Sequence, residues 1–111
     1  MKEIFIKVYE FTGEFAVASE DGHKVAENIS FHFNQKTLVV LDFEKIKVLT
    51  GSFAEVLGGL YRLFSEDFIE SHLQVVNLND YDFEFFVRYM LHCKRHYANQ
   101  RRLGELDEFE S

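Results

Sequence analysis

Hydrophobic and polar positions along this chain repeat with two different periods, and the switches between them divide it into elements. Residues 3–9, EIFIKVY, alternate loosely and are rich in β-branched and aromatic types, which predicts a strand. Gly13 follows as a turn residue, and FAVAS, beginning at Phe15, predicts a second short strand as a hairpin partner of the first. Ser19, Glu20 and Asp21 read as a helix start, a hydroxyl cap and two acids against the positive end of the helix dipole. Val25, Ile29 and Phe33 recur every four residues, so a helix is expected over about 20–34, with Gly22 weakening its first turn.

TLVVLDF at 37–43 is continuously apolar from Leu38 to Leu41, the pattern of a central strand buried on both faces. Lys45 and Lys47 alternate with Ile46 and Val48, as in a brief strand or extended connection. Phe53, Val56, Leu57, Leu60, Tyr61 and Phe64 then share one face of a helix of about three to four turns. Gly58 and Gly59 lie inside it, each costing about 1 kcal/mol relative to Ala, which implies a close-packing reason such as approach of the helix to the sheet. LQVVNL at 73–78 predicts another strand. Phe83, Phe86, Met90, Cys93 and Tyr97 form an apolar stripe on a last helix over about 80–99, capped by Asn79 or Asp80.

The expected fold is therefore α/β, one small layer of about four strands with three helices in the order β-β-α-β-α-β-α. One domain covers residues 1–100, and 101–111 form a charged, frayed tail. In such sheets, sites gather where strand ends feed helix N-termini, here Asp42 to Ser52 and Asn79 to Asp82.

Composition narrows the function. Twelve Lys and Arg stand against 19 Asp and Glu, a net charge of −7, which disfavours nucleic-acid binding. The single cysteine, Cys93, forms neither an internal disulfide nor a thiolate zinc site, which fits a reducing, cytoplasmic setting. The start, MKEIFIKVYEF, lacks the apolar core of a signal peptide, and no run approaches a membrane span. Thirteen Phe and five Tyr among 111 residues imply a Phe-rich core or an aromatic contact surface, so a homodimer is one expectation.

The most informative stretch is residues 38–59. A buried strand ends in Asp42, a short segment crosses over, and Thr50-Gly51-Ser52 opens an amphipathic helix. Backbone N–H groups at that helix start favour an anion or a phosphorylated hydroxyl. The plainer account makes Thr50 or Ser52 an N-cap, with Glu55 completing a capping box if Ser52 is the cap. This stretch and the element order resemble the STAS superfamily of anti-sigma-factor antagonists, and more closely the STAS-like family of unknown function. That family is marked by a strand ending in Asp-Phe and a Ser-Phe-Ala-Asp/Glu helix start, matched by Asp42-Phe43 and by Ser52, Phe53, Ala54 and Glu55. Val75, Val76, Asn77 and Leu78 resemble its next strand, and Gly13, Phe15, Ala16 and Ala18 its first turn.

The resemblance implies a non-catalytic, intracellular interaction module. Its loop and second helix would dock a regulatory protein partner with a histidine-kinase-like ATPase fold, through Asp42, Thr50, Gly51, Ser52 and Glu55. The antagonists carry Asp-Ser-Ser-Gly at this helix start and are phosphorylated on the first Ser. Laid against that pattern, Gly51 stands at the phosphorylated position, which leaves Thr50 and Ser52 as the candidate phosphoacceptors.

Two alternatives follow from the last helix. Arg88, Lys94, Arg95, Arg101 and Arg102, interleaved with His92, His96 and Tyr97, could contact nucleic acid. The same cations suit a helix C-terminus, and Glu105, Asp107, Glu108 and Glu110 could neutralise them. His92 and His96 have the i, i+4 spacing a metal can bridge, needing further ligands such as His72 or His32. Cys93, lying on the apolar stripe, reads as a buried inert thiol. No metal or cofactor is expected, and Asp42 lacks an identifiable partner for acid–base chemistry.

Overall fold

The computed structural model describes residues 2–107. In chain order these form β1 (Glu3–Lys7), α1 (Tyr9–Thr12), β2 (Phe15–Ala16), α2 (Ser19–Asn34), β3 (Leu38–Asp42), β4 (Val48–Leu49), α3 (Gly51–Gly58), α4 (Leu60–Leu63), α5 (Glu66–His72), β5 (Leu73–Val76) and α6 (Asp80–Arg102). The α/β character holds, with a richer element list than β-β-α-β-α-β-α.

The sheet is built from parallel pairs. β3 lies in the centre of a three-stranded sheet in the order β1-β3-β5, with Ile6 opposite Leu41 and Leu41 opposite Val75. The continuous apolar run of β3 follows from this central place. The expected hairpin between the first two strands does not form. A helical turn, α1, and Gly13 at φ 67° redirect the chain, and β2 pairs instead with β4 in a separate parallel ladder. Thr50 N–H donates to the Ala16 carbonyl at 3.1 Å, carrying that ladder up to the start of α3.

One core unites the layers. Ile6, Val39 and Leu41 from the sheet meet Val25, Ile29 and Phe33 of α2, Phe53 and Leu57 of α3, and Ile69 of α5 in a single buried cluster. Side chains alternate along strands, so Phe5, Val40 and Gln74 share the opposite face. Val40 is buried there apart from the main cluster, while Phe5 is 59% exposed.

Helix starts and breaks differ in detail from expectation. Ala18, not Ser19, is the N-cap of α2, and no side chain caps it. Gly22 is buried because an added Cβ would lie 3.1 Å from Val56 Cβ, so it permits α2 to approach α3. The single helix expected over 53–64 is broken at Gly58 and Gly59 into α3 and α4, where i→i+3 bonds from Gly59 N–H to Val56 and from Arg62 N–H to Gly59 tighten the turn. The close approach at Gly58 is to α6, not to the sheet: an added Cβ would overlap Cys93 Sγ. Ser65 caps α5, its hydroxyl accepting from Phe68 N–H at 3.2 Å. Asn79 caps α6, accepting from Asp82 N–H at 2.8 Å. α6 continues to Arg102, past the expected end near Asn99, and Arg101 is half-buried.

Candidate functional site

The chain reaches the start of α3 from the β2–β4 ladder, and that position fixes the roles of its first residues. Thr50 is the N-cap: its Oγ1 accepts from Phe53 N–H at 3.4 Å and donates to the Val17 carbonyl at 3.0 Å. Its hydroxyl thus satisfies one of the orphan helix donors and ties α3 to the segment after β2. Ser52 is not the cap, so the Ser52–Glu55 capping box does not form. Ser52 lies inside the first turn with its side chain exposed, and Glu55 is exposed one turn on.

Gly51 is held in place by a residue that the sequence did not single out. An added Cβ there would overlap the Tyr89 hydroxyl, so the ring of α6 occupies the space a serine side chain would need. Tyr89 is half-buried and leans on Phe85, ring centroids 4.9 Å apart. The only sequence signal for it is its place four residues after Phe85 on α6.

Asp42 has a different task. It is 6% exposed, and its Oδ1 accepts from Glu44 N–H at 2.9 Å and from Asn77 Nδ2 at 2.7 Å. The Asp42 carbonyl accepts from Val8 N–H at 2.9 Å. Asp42 therefore joins the ends of all three sheet strands. Lys45 and Asn77 take left-handed backbone, φ 70° and 64°, where the chain turns around it. Thr50, Gly51, Ser52 and Glu55 come together at one helix start. The Asp42 carboxylate is engaged inside the protein rather than presented beside them.

Next to the outer side of α3 runs a groove of about 600 Å³ between α2, α3, α4 and α6, lined by His23, Phe31, Glu55, Val56, Leu63 and Tyr97. Phe31 is 59% and Leu63 62% exposed at its rim. Apolar side chains so open to water, bordered by charged groups, mark contact surfaces.

Of the residues behind the alternative readings, Lys94 and Arg101 are engaged with other elements, while Arg88, Arg95 and Arg102 are exposed. Lys94 Nζ pairs with Glu70 at 2.9 Å and Glu66 at 3.5 Å, and the carboxylates hold its pKa above the usual lysine value. Arg101 donates to the carbonyls of Tyr61 at 2.9 Å and Arg62 at 2.7 Å, closing the end of α4. His92 and His96 are exposed, while His72 stacks on Phe68 with centroids 3.9 Å apart and His32 stands edge-on to Phe31. Among the described residues no group of three or more His, Cys, Asp or Glu could hold a metal ion. Cys93 is buried, and burial pushes its thiol pKa up, away from nucleophilic chemistry. Glu108 and Glu110 of the acidic tail lie outside the described residues.

A parallel sheet with helical crossovers, and a hydroxyl-capped helix start after the central strand, define an α/β domain. The chain belongs to the family described as STAS-like domain of unknown function, whose model matches residues 21–83. That span holds α2 from Asp21 onward, the Asp42 junction, the α3 start and the first turn of α6. No curated protein and no solved structure matches the chain. Among the described residues no helix is long and apolar enough to cross a membrane.

Proposed function

We propose that this protein is a non-catalytic regulatory module of the cytoplasm that binds a protein partner through the N-terminus and outer face of α3. The observation that carries this reading is the surface composition there. Ser52 and Glu55 are exposed, and the adjoining groove has Phe31 and Leu63 open to solvent at its rim. The family resemblance points to a histidine-kinase-like ATPase as the partner. The cytoplasmic setting rests on the lone, buried Cys93.

Within this surface, Ser52 is the hydroxyl that a kinase would reach. Thr50 Oγ1 is engaged as donor and acceptor, and Gly51 offers no acceptor at all. Phosphate on Ser52 would add about −1.5 to −2 charges beside Glu55. The helix N-terminus tolerates that charge locally, so release would come from repulsion of an acidic or closely fitted partner. Asp42 supports the surface indirectly by fixing the strand ends.

The test uses the wild-type chain as bait in host lysate, with mass spectrometry identifying the captured protein, followed by titration of the purified pair. Ser52→Glu and Glu55→Lys are expected to weaken binding by about tenfold or more. Equal binding by wild type and both variants would overturn the assignment of the surface.

A further inference from the structure

A second apolar surface lies away from α3. β5 is an edge strand, and between it and α6 runs a groove of about 540 Å³ whose walls include Leu73, Val75, Val76, Phe86 and Met90. Along the α6 side of it, Phe83, Val87 and Leu91 form an i, i+4, i+8 ridge, 46%, 44% and 37% exposed. Phe83 was expected within the buried stripe of the last helix, and instead it begins this outward ridge.

Charge along the same helix identifies what would cover it. At 100° per residue, Asp80 and Lys94 lie about 20° from the line of Val87, and Glu84 and Arg95 lie about 60° and 80° round on one flank, with the acids at the start of the ridge and the cations beyond its end. From Phe85 to Gly104 no acid occurs, whereas Asp80, Asp82 and Glu84 crowd the first turns. A helix acidic at one end, apolar in the middle and basic at the other is complementary to itself when antiparallel. It repels a parallel copy.

We propose that this face is an isologous homodimer interface, with two α6 helices packed antiparallel about a two-fold axis near Val87. The axis sets Phe83 of one copy against Leu91 of the other and brings Asp80 level with Lys94 and Arg95 of the other copy. Arg95 is the main cation of the contact, because Lys94 is already paired with Glu66 and Glu70 within its own chain. Each ridge caps the groove beside β5 of the other copy, removing apolar surface from water. This interface is separate from the proposed α3 surface, and a dimer would leave that surface open.

Sedimentation equilibrium from micromolar to millimolar concentration tests the proposal. Wild type is expected to pass from the monomer mass to twice that mass. Val87→Glu should stay monomeric, with circular dichroism showing an intact fold. Should that variant fail to fold, the charge swap decides alone: Asp80→Arg and Arg95→Glu should each weaken the dimer, and the double variant should recover it. A wild-type protein that remains monomeric throughout, a dimer indifferent to Val87→Glu, or a swap without recovery would overturn the interface.

Discussion

At the scale of single residues, the structure separates side chains that look alike in sequence. Thr50 and Ser52 are both hydroxyls at one helix start, yet only Thr50 caps it. Thr50→Ala should cost about 1 kcal/mol in urea unfolding, while Ser52→Ala should stay within about 0.5 kcal/mol. Gly51 and Gly58 both face α6, but with different neighbours. An alanine at Gly58 meets Cys93 close to the α6 backbone and should cost about 1–3 kcal/mol. At Gly51 the obstacle is the far end of Tyr89, which can swing outward, so Gly51→Ala should cost less than Gly58→Ala in the same assay. Asp42→Ala removes two hydrogen bonds from a buried carboxylate and should cost about 2–3 kcal/mol, and Asn77→Ala, added to it, should cost less than it does alone.

The buried Cys93 thiol also makes a pH prediction. Burial is the largest cause of its raised pKa, followed by Glu55. The unfolded chain therefore loses the thiol proton first as pH rises. Its contribution to stability is complete below the unfolded pKa, and it is lost as pH climbs through the folded value. Tyr61, raised chiefly by burial, acts in the same direction at higher pH. Denaturant midpoints should fall above about pH 9, and Cys93→Ala should flatten the first part of that fall.

Among the elements, those with a strong period were legible and those set by a local backbone event were not. α2 was readable because Val25, Ile29 and Phe33 all reach the core, and β3 because its apolar run lies between two strands. α5 was missed although Ser65, Glu66 and Asp67 carry the same helix-start signal as Ser19, Glu20 and Asp21. Of the two, only Ser65 is a cap. The reason is the short span of seven residues, too short for periodicity to declare itself beside the longer apolar face before it. The Gly58–Gly59 pair was recognised as a close-packing feature, but no one-dimensional pattern says whether a helix approaches a sheet or another helix. α6 has two apolar stripes, one buried with Phe86, Met90 and Cys93 and one exposed with Phe83, Val87 and Leu91, and the sequence merged them by taking Phe83 into the first.

For the whole molecule, the alternation of strands and helices was sufficient for an α/β layer, and the Asp42-Phe43 and Ser52–Glu55 motifs were sufficient for the family. Pairing was not. Residues 3–7 and 15–16 are close in sequence and invited a hairpin, yet the sheet is wholly parallel because the short turn α1 and Gly13 send β2 to β4. Long-range partners of this kind cannot be read from local pattern alone. The same limit applied to Asp42, whose partner Asn77 lies 35 residues away. Its bond became visible only when the three strand ends met. The topology leaves on the outside the exposed flank of α3 with its groove, where partner binding is proposed, and the separate ridge of α6.

Hydrogen–deuterium exchange of the chain alone and bound to its captured partner tests that assignment most directly. Protection gained over residues 50–63, with residues 83–95 and the β1 edge unchanged, is the predicted result. Partner-induced protection confined to residues 83–95 or to the sheet, with 50–63 exchanging as in the free chain, would contradict it.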